Sequence, residues 1–279
     1  MPQVRETTGV RKAIVVVVLI IITVVYLFPL FYIVNTAFRP WKDIREYPPK
    51  IIYEPSMGSF IRIFTARAVY PPGEEPTAED LEEMSWAART VYNETNEQIV
   101  RRGDLPRRYM NSLIICVLST VITIILGTTA AYAFSRFPVK GKDDWLFFIL
   151  STRMLPPVIV AIPVFLMFRN LGLNDSYIGL ILLYVAFNVS FAVWVLKGFI
   201  DEIPVEYEEA AMVDGYTRIQ AFRKIVLPQA VTGIAATAVF VFIFAWNEYA
   251  FAFILTRNNA QPVPAWLPYQ MGVLGFDWG

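Results

Sequence analysis

The sequence predicts an all-α, polytopic transmembrane helical bundle, and three observations carry that reading. Five apolar segments, at about 13–34, 110–134, 145–168, 177–199 and 229–255, each reach the roughly 20 residues a helix needs to cross a bilayer core of about 30 Å. Apolar residues make up 56% of the 279 and charged residues 17%, with a mean hydropathy of +0.48, which is too apolar for an ordinary soluble domain of this size. Basic side chains gather where short links leave the bilayer: Arg5, Arg11 and Lys12 before the first segment, Arg136, Lys140 and Lys142 between the second and third.

The composition also excludes function classes. Lys and Arg balance Asp and Glu at 24 each, so the basic excess that supplies most nucleic-acid affinity is missing. The chain has no histidine, which removes the usual general base at neutral pH and the commonest zinc ligand. The single cysteine, Cys116, lies in an apolar run, cannot form an internal disulfide and reads as packing.

Taken in order, residues 1–35 form a cytoplasmic N-terminus and the first transmembrane helix. Its basic start suggests a secretory leader, but the apolar run is too long and no Ala-x-Ala site follows, so it reads as an uncleaved anchor. Residues 36–109 form an external subdomain of mixed charge, in which 77–98 reads as a loop followed by one amphipathic helix with Leu81, Met84, Ala88 and Tyr92 near one face. The core spans 110–255. Pro29 in the first span and Pro156, Pro157 and Pro163 in the third are expected to kink their helices, which membrane helices tolerate where neighbours satisfy the freed carbonyls. Residues 256–279 form an aromatic, proline-rich external segment.

The basic flanks place the link at 200–228 in the cytoplasm. Pro204 suits a first helical turn, and Glu206, Glu208 and Glu209 put negative charge at the positive end of the helix dipole. Tyr207, Ala210, Ala211 and Asp214 fall at i, i+3, i+4 and i+7, giving a face centred on two methyl groups that another protein could approach closely. Gly215 can take the left-handed backbone that ends the helix. Thr217 with Gln220 reads as a capping box opening a second helix, which Leu227-Pro228 closes. The expected product is a compact helix-turn-helix knob.

Glu209-Ala210-Ala211, Asp214-Gly215, Phe222 and Ile225-Val226-Leu227-Pro228 together resemble the cytoplasmic coupling loop of bacterial ATP-binding-cassette (ABC) import permeases. Tyr216 departs from the small residue usual after that glycine. Ser151-Thr152-Arg153-Met154-Leu155-Pro156-Pro157, Leu171-Gly172-Leu173-Asn174-Asp175 and Trp246-Asn247-Glu248-Tyr249-Ala250-Phe251-Ala252 resemble the maltose-type sugar permeases, specifically the smaller subunit of a heterodimeric pair. The resemblance implies a type I ABC importer permease fold in a prokaryotic cytoplasmic (inner) membrane. It implies a second homologous permease, two copies of a cytoplasmic ATP-binding subunit and a periplasmic solute-binding protein as partners, besides membrane lipid. ATP and Mg would be bound by the ATPase subunits, and this chain, without a Gly-x-x-x-x-Gly-Lys-Ser/Thr loop, would hold no cofactor and be no enzyme. Such permeases have a sixth span, and Phe276-Asp277-Trp278-Gly279 looks like the residues just before it.

Polar groups inside a membrane are costly and usually face a bundle interior or a cavity, which makes Asn188, Ser190, Asn247 and Glu248 pathway candidates. Tyr249, like Trp194 and Trp246, could stack on a sugar ring, although an interfacial belt accounts for Trp246 and Tyr249 more simply. Arg153 is a further buried charge. By helical rise it lies about 12 Å into its span and Glu248 about 28 Å into a span running the same way, so the two are expected to be unpaired. The cargo stays open between a sugar, a polyol, a modified sugar and another small solute. A membrane channel or intramembrane enzyme is the alternative from another class.

Overall fold

The computed structural model describes residues 9–44, 53–154 and 156–270. The chain divides into two compact units, one built on residues up to Leu105 and the other on Pro106–Leu274.

The first unit opens with α1 (Gly9–Ala37), whose side chains are apolar all round and exposed, as a helix standing in lipid must be. It continues through α2 (Trp41–Ile44), α3 (Gly58–Phe64), β1 (Thr65–Val69), α4 (Ala78–Glu83), α5 (Trp86–Thr95) and β2 (Glu97–Arg102). One expectation fails here. The single amphipathic helix over 77–98 is two: Thr77 and Asp80 form a capping box on α4, Met84 turns extended, and Ser85 caps α5 afresh by accepting from the Ala88 amide. Leu81 and Met84 therefore do not share a helix with Ala88 and Tyr92. The region also holds a two-stranded element, in which β1 and β2 pair antiparallel with an irregularity between Ala66 and Arg67. Arg67 reaches across to Glu97 at 2.5 Å.

The second unit holds α6 (Leu105–Arg136), α7 (Lys142–Ser151), α8 (Pro157–Asn170), α9 (Tyr177–Asp201), α10 (Glu206–Val213), α11 (Arg218–Ala221), α12 (Leu227–Gln229), α13 (Val231–Trp246), α14 (Ala250–Leu255) and α15 (Val263–Trp266). Small and polar residues of α6, among them Ser112, Ser119, Thr123, Gly127 and Ala131, repeat every three to four positions and form its buried face. There a Cβ added to Gly127 would lie 2.7 Å from that of Ala192 in α9, so glycine is what lets the two helices approach. Among the described residues the core of this unit has two clusters. One gathers Ile115, Cys116, Leu180, Tyr184, Phe251 and Leu255; the other gathers Ala131, Tyr132, Ala192, Leu196, Ile200, Val226 and Val241 beside the 200–228 link. Cys116 is packing, as its sequence context indicates.

Among the described residues three helices, α1, α6 and α9, are long and apolar enough to cross a membrane, or up to five spans if each bent pair counts as one. In the third apolar segment the axes of the stretch Lys142–Met154 and of α8 differ by 91°, with Pro156 and Pro157 at the break. The fifth segment is not the continuous helix expected over 229–255. It bends by 73° at Ala230 and ends again at Trp246, before α14. The second break is held by Glu248, whose carboxylate accepts the Phe251 and Ala252 amides at 3.0 and 3.1 Å. The motif at Phe276–Gly279 lies outside the described residues.

At the end of the bundle opposite the 200–228 link, Asp175 adopts positive φ (52°) and its carboxylate accepts the amides of Arg257, Asn258, Asn259 and Ala260. Burial alone would raise its pKa, but these four amides outweigh that and hold it below the ordinary aspartate value. Asn111 fixes the same turn by donating to the carbonyls of Asn259 and Gln261 while accepting from the Tyr177 hydroxyl.

Candidate functional site

The link after α9 folds as the hairpin its residues predict. Pro204 stands just before the first turn of α10, where Glu206, Glu208 and Glu209 face the helix's orphan amides. Asp214 caps the far end. Gly215 takes φ +94°, its amide donating to Met212 at 3.1 Å and that of Tyr216 to Ala211 at 3.0 Å, the paired bonds of a Schellman stop. Thr217 and Gln220 then cap α11 reciprocally, at 2.8 and 3.3 Å. Beyond α11 the chain widens into a π turn over Phe222–Val226, which ends two residues before Pro228. A regular turn there would set the proline ring against the carbonyl of residue 224 and lose its N–H bond, and widening the turn relieves this.

The surface of this hairpin differs in one respect from the expected face. Ala211 is turned inward, only 5% exposed, and so does not share the open crest with Ala210. Glu208, three positions before Ala211, is buried with it, and this i, i+3 pair sets the inward face of α10. Glu209, Ala210, Asp214, Gly215 and Pro228 are exposed, while Phe222, Ile225 and Leu227 are half-buried, the Phe222 ring lying tilted against that of Tyr132 with centroids 4.4 Å apart. Two apolar side chains that the sequence reading passed over complete the crest: Val213 and Ile219, 87% and 71% exposed. Only their place outside the buried face marks them, and the linear pattern does not show it.

The inward face carries a second unread feature. Glu208 pairs with Arg136 at the end of α6, and its other oxygen accepts the Tyr132 hydroxyl at 2.7 Å. Arg136 also donates to the carbonyls of Ile200 and Ile203, at 3.2 and 2.7 Å, and to the Ser135 hydroxyl. Its position after a long apolar run marked Arg136 only as a charge at the membrane boundary.

The pathway candidates do not form one site. Asn188 and Glu248 line a cavity of about 240 Å³ together with Arg153, Pro157, Tyr184, Phe187, Phe244 and Phe251. Straight helices would keep Arg153 far from Glu248; with both spans broken, the two border the same space, although no ion pair joins them. Arg153 lies instead over the rings of Phe244 and Phe191, 4.4 and 5.1 Å from their centroids, with its Nη1 unbonded. Ser190 faces Thr152 at 3.5 Å, outside that cavity. Asn247 points to a different hollow with Tyr109, Leu113 and Trp246, and Tyr249 is exposed against Phe253. Trp194 donates to the Leu146 carbonyl at 3.1 Å. Among the described residues no group of His, Cys, Asp and Glu could hold a metal ion.

Comparison with known proteins agrees with this architecture. Residues 123–275 match the family model described as binding-protein-dependent transport system inner membrane component. A probable ABC transporter permease, y4oR, of Sinorhizobium fredii is 31% identical over 92% of this chain and 77% of its own length. The trehalose transport system permease protein SugB of Mycobacterium tuberculosis is 40% identical over 59% of this chain and 61% of its own length. A solved bacterial ABC transporter involved in import of the acidic polysaccharide alginate superposes with a TM-score of 0.68 at 20% identity, over 99% of this chain and 85% of that one, which is a likeness of fold. The chain belongs to the binding-protein-dependent transport system inner membrane components, the membrane permease subunits of ABC importers.

Proposed function

We propose that this permease moves a sugar or sugar-like solute inward, using ATP hydrolysed by two copies of a cytoplasmic ATPase, one of which grips the 200–228 hairpin. The observation that carries the reading is the exposed crest of Ala210, Val213, Asp214 and Ile219 on a hairpin fixed by Gly215 at φ +94°. Small and apolar groups on a rigid turn suit close docking, and a free loop would not need them. The trehalose relative supports the cargo class. In this reading a second, homologous permease completes the pathway, a periplasmic binding protein delivers the solute, and ATP with Mg stays on the ATPases. The N-terminus and the hairpin face the cytoplasm, residues 36–109 and 256–279 face outward, and 110–255 form the translocating core.

ATP closes the ATPase pair, each coupling hairpin moves with its ATPase, and the helices swing from inward-open to outward-open. Of the pathway candidates, Asn188 and Glu248 are the ones supported by a shared cavity, and the unbonded Nη1 of Arg153 gives that cavity a donor for a solute oxygen. Ser190, Asn247 and Tyr249 contribute only if the partner permease reshapes this region. Cross-linking tests the docking. With Cys116 buried, a single cysteine at Ala210 offers the one accessible thiol, and it is expected to join this chain to its ATPase in the membrane. Cross-linking that fails at Ala210 and Val213 alike, in an assembled and transporting complex, would refute the docking face.

A further inference from the structure

We propose that Arg136, Glu208 and Tyr132 form the link that carries movement of the hairpin into the membrane helices, an inference that rests on the coupling role proposed for that hairpin. The arrangement joins three elements at one point. Arg136 and Tyr132 belong to the last turns of α6, the Ile200 and Ile203 carbonyls lie at the end of α9, and Glu208 belongs to the inward face of α10. The guanidinium and carboxylate side chains are only 4% and 3% exposed. Out of water such a pair keeps its attraction, and pulling it apart leaves two charges without solvent, so the geometry resists sliding.

Apolar contacts alone would not do this. Phe222 against Tyr132 and Ala211 against the interior can slip past neighbours with little directional penalty, since burial is nondirectional. The guanidinium fork fixes both distance and angle, and it reaches α9 and α10 at once. The crest at Val213 lies only about 8 Å along α10 from Glu208, so a push on the crest acts on a short lever. Arg136 and Glu208 are therefore positioning residues, distinct from the exposed groups that would touch the ATPase.

The test uses the whole importer in lipid vesicles, with its ATPase and binding protein, and reads solute taken up per ATP hydrolysed. In Glu208→Gln, with shape kept and charge removed, that ratio is expected to fall roughly ten-fold while the ATPase still copurifies. The exchanged pair Arg136→Glu with Glu208→Arg is expected to recover part of it. A merely structural role predicts something else: less assembled complex, but the same ratio in what assembles. An unchanged ratio in Glu208→Gln overturns the proposal. Should that variant fail to assemble, Tyr132→Phe decides, since it removes one hydrogen bond from Glu208; a ratio equal to the native one then overturns it. Loss of the ATPase from the native chain itself would instead strike the coupling reading.

Discussion

Single residues fix the two ends of the bundle. Gly215 has open space around its Cβ position, so a side chain there meets no neighbour and the whole cost of substitution lies in its backbone at φ +94°. Gly215→Ala is expected to destabilise the hairpin by about 1 kcal/mol, and Gly215→Asn by less, because asparagine tolerates the left-handed region. Amide exchange of residues 212–217 checks the order. Asp175, outside the apolar spans, gives a pH prediction. Its folded pKa lies below the ordinary value, so the stability it contributes is complete above about pH 4 and is lost as pH falls through the lower folded value. Acid should loosen the turn at 257–260 in the native chain, and in Asp175→Asn, which keeps one acceptor oxygen but not the charge, the turn should be looser than native at neutral pH and should not loosen further in acid. Equal protection of these amides in both proteins at neutral pH would contradict this.

Elements were legible in the sequence where their signal is local. The Thr217 capping box, the Gly215 stop and the apolar runs of α1, α6 and α9 depend on residues within a turn or on sustained hydropathy, and they stand as read. What hydropathy hides is a break inside an apolar run. The interruption at Asn247–Tyr249 depends on Glu248 folding back onto the amides of α14, a local bond that a hydropathy pattern does not show. The β1 and β2 pair depends on partners some thirty residues apart, and the inward turn of Ala211 depends on Arg136 meeting Glu208, seventy-two residues away in sequence. Two predictions belong at this scale. Gly127→Val is expected to force α6 from α9 and cost about 1–3 kcal/mol by overpacking, seen as a lower unfolding temperature in detergent. Glu248→Ala is expected to fray α14 at about 1 kcal/mol, while Glu248→Gln keeps an acceptor and most of that stability. If Gln restores stability without restoring uptake, Glu248 serves the pathway as well as the cap.

At the scale of the whole molecule, the chain places a fixed clasp around Asp175 at one end of its second unit and a hairpin with an exposed crest at the other. Helices α6 and α9 run between them, packed closely through Gly127, and α13 packs along α9. A bundle of this kind suits a part that is pushed at one end and opens along its length. The sequence spoke clearly about the hairpin's turn, through Gly215 and the Thr217–Gln220 box, and less clearly about its crest, where Val213 and Ile219 follow no linear pattern and Ala211 turns inward. It spoke poorly about the pathway, because any polar residue in an apolar run looks alike until the breaks in the helices decide which of them meet.

The proposed role of the 200–228 hairpin is to bind an ATPase. It is tested most directly by mass spectrometry of the proteins that copurify with the tagged chain from mild detergent, comparing the native sequence with Gly215→Asp. An ATP-binding subunit and a second permease are expected with the native chain, and loss of the ATP-binding subunit but not of the second permease with the variant. A folded native chain that brings down no ATP-binding subunit, or a variant that retains it in full, would contradict it.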